Sequence, residues 1–313
     1  MLNTKSFFYK IHAMIKKRFL YAAIIALGTL GFISCTTTSK TQKAFEEAEP
    51  YTENYITNIN RNLSYTKEQF KNEKFLFIRM HHINYNEDGK ILYYWRTLAS
   101  WMGQSESGDA YTHTALNYTL KDDFIGITTQ GENQVKYERF GSPMENPYFS
   151  KIDMDRTSCL VLAIPVSESD WENCKALLEY SMSPKKNFKF SKTSALSVPF
   201  KHRKARKLLK TTDFKNNNDY ENVVLADDYS TYFEKEYKFA CSGYIMKILS
   251  TGTSKYNNMF NKNKIKATAY APSDLLYLDQ IQPLFTCRAS QYDRAVEEYL
   301  KIYPEFSEYF SKK

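Results

Sequence analysis

The sequence predicts an α+β domain, with a strand-rich centre and helices before and after it in the chain. Residues 159–164, Cys-Leu-Val-Leu-Ala-Ile, form an unbroken apolar run of a length that suits a buried strand. Residues 112–120 alternate in polarity, and Lys121-Asp122-Asp123 turns them into a second short strand over 124–129. Apolar residues also recur at helical spacing, at Trp171, Cys174, Leu177, Leu178 and Met182 and again at Tyr292, Ala295, Val296, Tyr299, Leu300 and Tyr303.

Taken in order, the chain opens on a targeting segment. Lys16-Lys17-Arg18 precedes an almost uninterrupted apolar run over residues 19–33, and Ser34-Cys35 follows. A charged start, a short apolar run and a small residue before the cut describe a secretory signal peptide. The run is too short for a comfortable membrane-spanning helix. Phe32-Ile33-Ser34-Cys35 further resembles a bacterial lipobox, with Phe32 where that motif most often carries Leu. The resemblance implies that Cys35 is lipid-modified and becomes the mature N-terminus. Residues 14–34 alone make a complete signal of this kind. The sequence thus predicts an exported lipoprotein anchored in the cell envelope through Cys35, in preference to an uncleaved N-terminal anchor.

Charge supports that division. The formal net charge is +8, but Lys5, Lys10, Lys16, Lys17 and Arg18 precede Cys35 with no acidic residue among them, which leaves +3 for the rest. Basicity is therefore largely a targeting feature. No interleaving of basic and aromatic residues suggests a nucleic-acid module, despite 25 Tyr and 21 Phe. With 10 glycines in 313 residues there is little room for a phosphate-cradling loop.

Residues 36–73 are predicted as a polar tether followed by a weak helix over 55–73, and residues 74–313 as the folded domain with a C-terminal helix. The tether has too little apolar content to pack. The domain opens on Phe75-Leu76-Phe77-Ile78-Arg79-Met80, a strand, and residues 103–109 and 140–147 are loops. Ser167 caps a helix with Asp170 three residues on, in the spacing of a capping box, and Pro184 ends it. Residues 185–235 carry basic runs and little readable pattern. A polar loop is predicted up to Lys266, and Ala271-Pro272-Ser273-Asp274 reads as a helix start.

The chemistry concentrates at two places. In Phe239-Ala240-Cys241-Ser242-Gly243-Tyr244-Ile245 an extended approach switches at Cys241 into a helix, whose apolar positions continue at Ile248 and Leu249. A cysteine at a helix N-terminus has its thiolate favoured by the backbone N–H groups and the helix dipole. Such a nucleophile needs a base, and His113 in Tyr111-Thr112-His113-Thr114-Ala115-Leu116 is the candidate.

These two blocks, with Ala271-Pro272-Ser273-Asp274-Leu275, resemble the circularly permuted papain-like hydrolases of the NlpC type, in which the histidine strand precedes the cysteine helix. The resemblance covers roughly residues 75–281. It implies a permuted papain-like fold, with an antiparallel sheet and a nucleophile helix packed on it. It also implies a cysteine hydrolase acting on amide, ester or thioester bonds, with a cell-wall peptide or an acyl-lipid as substrate and no metal or organic cofactor. Cys241 would be the nucleophile and His113 the base. The third, orienting group is open among Asp109, Thr128, Gln130 and Glu138; Glu138 is preferred because a carboxylate best stabilises an imidazolium. The alternative is a catalytically inactive papain-like binding lipoprotein. There, Cys241 and His113 would stand apart, or Tyr111 or Tyr244 would fill the cleft.

Other signals resolve into scaffold. Cys159 and Cys174 read as core residues, while Cys287, and disulfides among the three, stay open. His81-His82 suggest a metal, but neighbours on a strand point to opposite faces and no Cys or His at ligand spacing joins them, so they read as structural or surface residues. The basic cluster over residues 201–210 reads as a solvated face, with an anionic lipid or wall polymer as its functional alternative.

Overall fold

A computed structural model describes residues 57–82, 113–128, 133–140, 154–155, 157–183, 186–212, 214, 223–225, 228–233, 238–263 and 266–310. The elements in order are β1 (Thr57–Ile59), α1 (Lys67–Asn72), β2 (Lys74–His82), β3 (His113–Asn117), β4 (Phe124–Ile127), β5 (Val135–Glu138) and β6 (Ser158–Val166). They continue with α2 (Glu168–Met182), β7 (Lys189–Phe190), α3 (Lys192–Thr211), α4 (Ser230–Phe233), β8 (Lys238–Phe239), α5 (Cys241–Gly252), α6 (Ser254–Asn263), β9 (Gln282–Arg288) and α7 (Tyr292–Ile302).

Seven strands form one antiparallel sheet in the order β1-β9-β6-β2-β3-β4-β5, and β7 and β8 pair in parallel beside it. With helices packed on the sheet, the architecture is α+β. The two faces can be read along β2. Leu76, Ile78 and Met80 join a core closed by Cys174, Leu177 and Leu178 of α2 and by Ile245, Ile248 and Leu249 of α5. Phe75 and Phe77 join the opposite core, closed by Tyr292, Val296 and Tyr299 of α7 and by Phe306. A strand covered on both faces loses the polar alternation of a half-exposed one, which is why β2 and β6 read as continuous apolar runs.

Several elements depart from the sequence prediction. Where the front of a helix is predicted, Thr57–Ile59 is a strand paired to β9, with Thr57 opposite Cys287. Only Lys67–Asn72 is helical, started by a Thr66–Gln69 capping box. The Tyr65 hydroxyl donates to the Ala163 carbonyl at 2.7 Å, so the packed domain reaches back ahead of residue 74. The predicted loop before Lys266 contains α6. The unreadable stretch holds α3, twenty residues long, whose buried positions include His202, Ala205 and Leu209. A stripe of that composition is too weakly apolar to be seen by hydropathy.

Ser167 does cap α2, its hydroxyl accepting the Asp170 N–H at 3.2 Å. The Asp170 carboxylate keeps a side-chain hydrogen bond to Ser167 and also accepts the N–H and hydroxyl of Ser254 at 3.2 and 3.1 Å, tying α2 to the start of α6. Residues 271–277 begin with the predicted geometry, the Ala271 N–H donating to Asp274 Oδ2 at 2.8 Å, but wind as a 3-10 helix over Pro272–Tyr277. No helix among the described residues is long and apolar enough to cross a membrane. The signal segment, Cys35 and the tether lie outside the described residues.

Candidate active site

Cys241 is the first residue of α5, entered through an extended Ala240 that supplies no side-chain cap. Ser242 anchors this turn, its hydroxyl donating to the Tyr270 carbonyl at 2.6 Å. The helix start lies against the beginning of β3, where His113 is the first residue. Cys241 and His113 are joined by a side-chain hydrogen bond, and the sulfur also accepts the backbone N–H groups of Thr114 and Ser242. Burial by itself would raise the thiol. His113, through its hydrogen bond and its charge, outweighs that together with the two N–H groups, and the Cys241 pKa is lowered.

On the other side of the ring, His113 Nε2 lies 2.7 Å from Glu138 Oε1, which leaves Nδ1 for the sulfur. Burial would push the imidazole down. The charge of Glu138 and the bonds to Cys241 and Glu138 more than offset it and hold the His113 pKa at about 10. A lowered thiol beside a raised imidazole describes a thiolate–imidazolium pair. Cys241 retains 7 % exposure and His113 5 %, while Glu138 has none.

Glu138 reaches His113 from two strands away, since β4 lies between β3 and β5. It does so by crossing Gly126 of β4, where a Cβ would stand 2.1 Å from Glu138 Oε1. The backbone of Glu138 is held by Arg79, which donates to its carbonyl at 2.5 Å. Arg79 is itself fully buried, paired with Asp122 and stacked over Phe140 with its guanidinium carbon 3.9 Å from the ring centroid.

Three of the residues singled out from the sequence, Cys241, His113 and Glu138, thus meet. Of the alternatives for the third position, Thr128 is buried and its hydroxyl lies 3.5 Å from the Gln134 carbonyl; Asp109 and Gln130 lie outside the described residues. Tyr244 points into the core, its hydroxyl 2.6 Å from Ser181 Oγ. Tyr111 lies outside the described residues.

His81 belongs to this neighbourhood, which sequence reasoning missed. It is opposite His113 in the β2–β3 register, with ring centroids 4.8 Å apart, and its Nε2 is 4.0 Å from Glu138 Oε2. Burial, then the positive charges of His113 and Arg79, lower its pKa far below the usual value, so it is neutral. His81, His113 and Glu138 each offer a ligand atom, all within 4.8 Å of one another. The pairing joins residues 32 positions apart, so no local spacing announces it. Gly126 and Arg79 were likewise silent: one looks like an ordinary strand glycine, the other like a solvent-facing strand charge.

The other cysteines among the described residues sit apart from the pair. Cys174 is core on α2, and burial pushes its thiol well up. Cys159 and Cys287 face each other across β6 and β9 as free thiols, with sulfurs 3.2 Å apart. Comparison with known proteins finds no matching family model, curated protein or solved structure.

Proposed function

We propose that this chain is a thiol hydrolase in which Cys241 is the nucleophile, His113 the base and acid, and Glu138 the group that orients and charges the imidazole. More narrowly, the order histidine strand, then cysteine helix, together with the antiparallel sheet, supports the permuted papain-like reading. The observation that carries the proposal is the continuous chain Cys241–His113–Glu138, with His113 Nε2 2.7 Å from the carboxylate. A protein that only bound a ligand here would have no need of a buried carboxylate threaded over a glycine to reach the imidazole.

The Cys241 thiolate attacks the carbonyl carbon of an amide, ester or thioester, and the first-turn N–H of α5 donates to the oxyanion. His113 gives its proton to the leaving amine, alcohol or thiol as the carbonyl re-forms, leaving an acyl-thioester on Cys241. Water then attacks that thioester, His113 takes the water's proton, and the acid is released with the thiolate regenerated. The substrate class is a cell-wall peptide or an acyl-lipid, reached by a domain tethered to the envelope through lipidated Cys35.

The test is the rate of Cys241 alkylation by iodoacetamide against pH, in the full-length wild type and in His113→Ala, with every cysteine followed by mass spectrometry. The proposal expects selective reaction of Cys241 well below pH 8.5, the ordinary thiol value being about 8.5, and loss of that advantage in His113→Ala. An inert Cys241, or one indifferent to His113, overturns it.

A further inference from the structure

Three buried polar atoms without a protein partner crowd together beside His113: both ring nitrogens of His81 and Oε2 of Glu138. Both residues are 0 % exposed. Leaving a buried polar atom unsatisfied costs about 1–3 kcal/mol, and native folds as a rule satisfy such atoms through water or an ion. Two of the three, His81 Nε2 and Glu138 Oε2, are neighbours, and one partner lying between them would satisfy both.

The donor set says which partner. His81 Nε2 and Glu138 Oε2 are 4.0 Å apart. Two ligands on one zinc ion, each bonded at about 2.0–2.2 Å, lie at most about 4.4 Å apart, and about 3.4 Å apart at a tetrahedral angle. The gap therefore holds one cation after a small closure, and His113 offers a third atom within 4.8 Å. The scaffold is stiff: His81 and His113 are register partners on adjacent strands, and the Glu138 backbone is pinned by Arg79. Arg79 is ion-paired to Asp122, which offsets its repulsion of an incoming cation.

We propose that His81, His113 and Glu138 form a binding site for one divalent cation of borderline softness, of the Zn²⁺ or Co²⁺ kind. Two imidazoles and a carboxylate match that class, whereas Ca²⁺ and Mg²⁺ ask for oxygen throughout. The cation takes the place of the proton on His113 Nε2, and the carboxylate meets it through Oε2, the oxygen nearer His81. That proton leaves to solvent, His113 keeps the hydrogen on the nitrogen facing Cys241, and no oxidation or reduction is involved. Three protein ligands leave a fourth position to water.

The full chain, stripped with a chelator in detergent, is titrated with Zn²⁺ by calorimetry and with Co²⁺ in the visible. The expected result is one equivalent bound with proton release, and a tetrahedral-type cobalt spectrum without a thiolate-to-metal charge-transfer band. His81→Gln weakens binding by more than the ~10–100-fold that changes outside the ligand set cost, whereas Cys241→Ala and His202→Gln leave it unchanged. The wild-type cobalt spectrum carries the test by itself if His81→Gln fails to fold. Absence of binding, or a charge-transfer band that Cys241→Ala removes, overturns the proposal: in the second case the metal sits on the thiol–imidazole pair. Because metal binding is read in Cys241→Ala and hydrolysis through Cys241, failure of either reading leaves the other standing.

Discussion

Glu138 passes over Gly126 so closely that a methyl group on residue 126 would stand 2.1 Å from the carboxylate oxygen that meets His113. The glycine is a gap in the sheet through which β5 communicates with β3. Gly126→Ala closes it. The substitution is expected to cost about 1–3 kcal/mol through overpacking and to displace Glu138 from His113. A thermal melt reads the first effect; alkylation of Cys241 at pH 6 reads the second, and a normal rate there would show that Glu138 finds another path.

Glu138→Gln keeps the shape and removes the charge. Since the carboxylate holds His113 protonated, its loss returns the proton from the imidazole to the sulfur, and the thiol pKa rises toward its ordinary value. The acidic limb of the alkylation profile then moves to higher pH. Each unit of that movement costs about tenfold in thiolate at a fixed acidic pH, while rates above pH 9.5 stay close to wild type. A profile that does not move would mean that the helix terminus alone stabilises the thiolate.

Exposure does not separate the cysteines, because Cys287 is 5 % accessible against 7 % for Cys241. Charge state does. Burial, and after it the bond to and the charge of Cys159, push the Cys287 thiol well up, while Cys241 is lowered. Peptide mapping after brief treatment with iodoacetamide at pH 6.5 is expected to find label on Cys241 alone among Cys159, Cys174, Cys241 and Cys287. Label on Cys287 at a comparable rate would contradict this ordering.

Arg79 is buried with Asp122 as its ion partner and the Glu138 carbonyl as its second acceptor. Arg79→Ala takes this donor from both, and breaking a buried pair in this way costs about 3–5 kcal/mol. Arg79→Met with Asp122→Asn is expected to recover part of that in a denaturant titration. Even where stability returns, Cys241 reactivity at pH 6 stays depressed, because Glu138 is no longer pinned at its backbone.

The strands β2, β3, β4 and β6, the helices α2, α5 and α7 and the positions of Cys241 and His113 were legible because each depends on local pattern. An apolar run, a stripe at helical spacing or a polar turn at a helix start is written in neighbouring residues. By contrast α3 hides behind a stripe of His202, Ala205 and Leu209, α6 behind polar composition, and β1 exists only because β9 is there to pair with it.

By itself the sequence determined the α+β class, the helix that begins at Cys241, the strand that carries His113, and a short set of groups able to orient the imidazole. Only the tertiary structure decided that Glu138 faces His113, that Gly126 makes room for it, that Arg79 holds it, and that His81 stands alongside. The reason is the range of the interactions. Backbone propensity and hydrophobic period act over a few residues, whereas the register of β2 on β3 joins residues 81 and 113, and the reach of β5 across β4 joins residues 138 and 113. Register and reach are set by how whole strands pack, and no spacing within either strand encodes them.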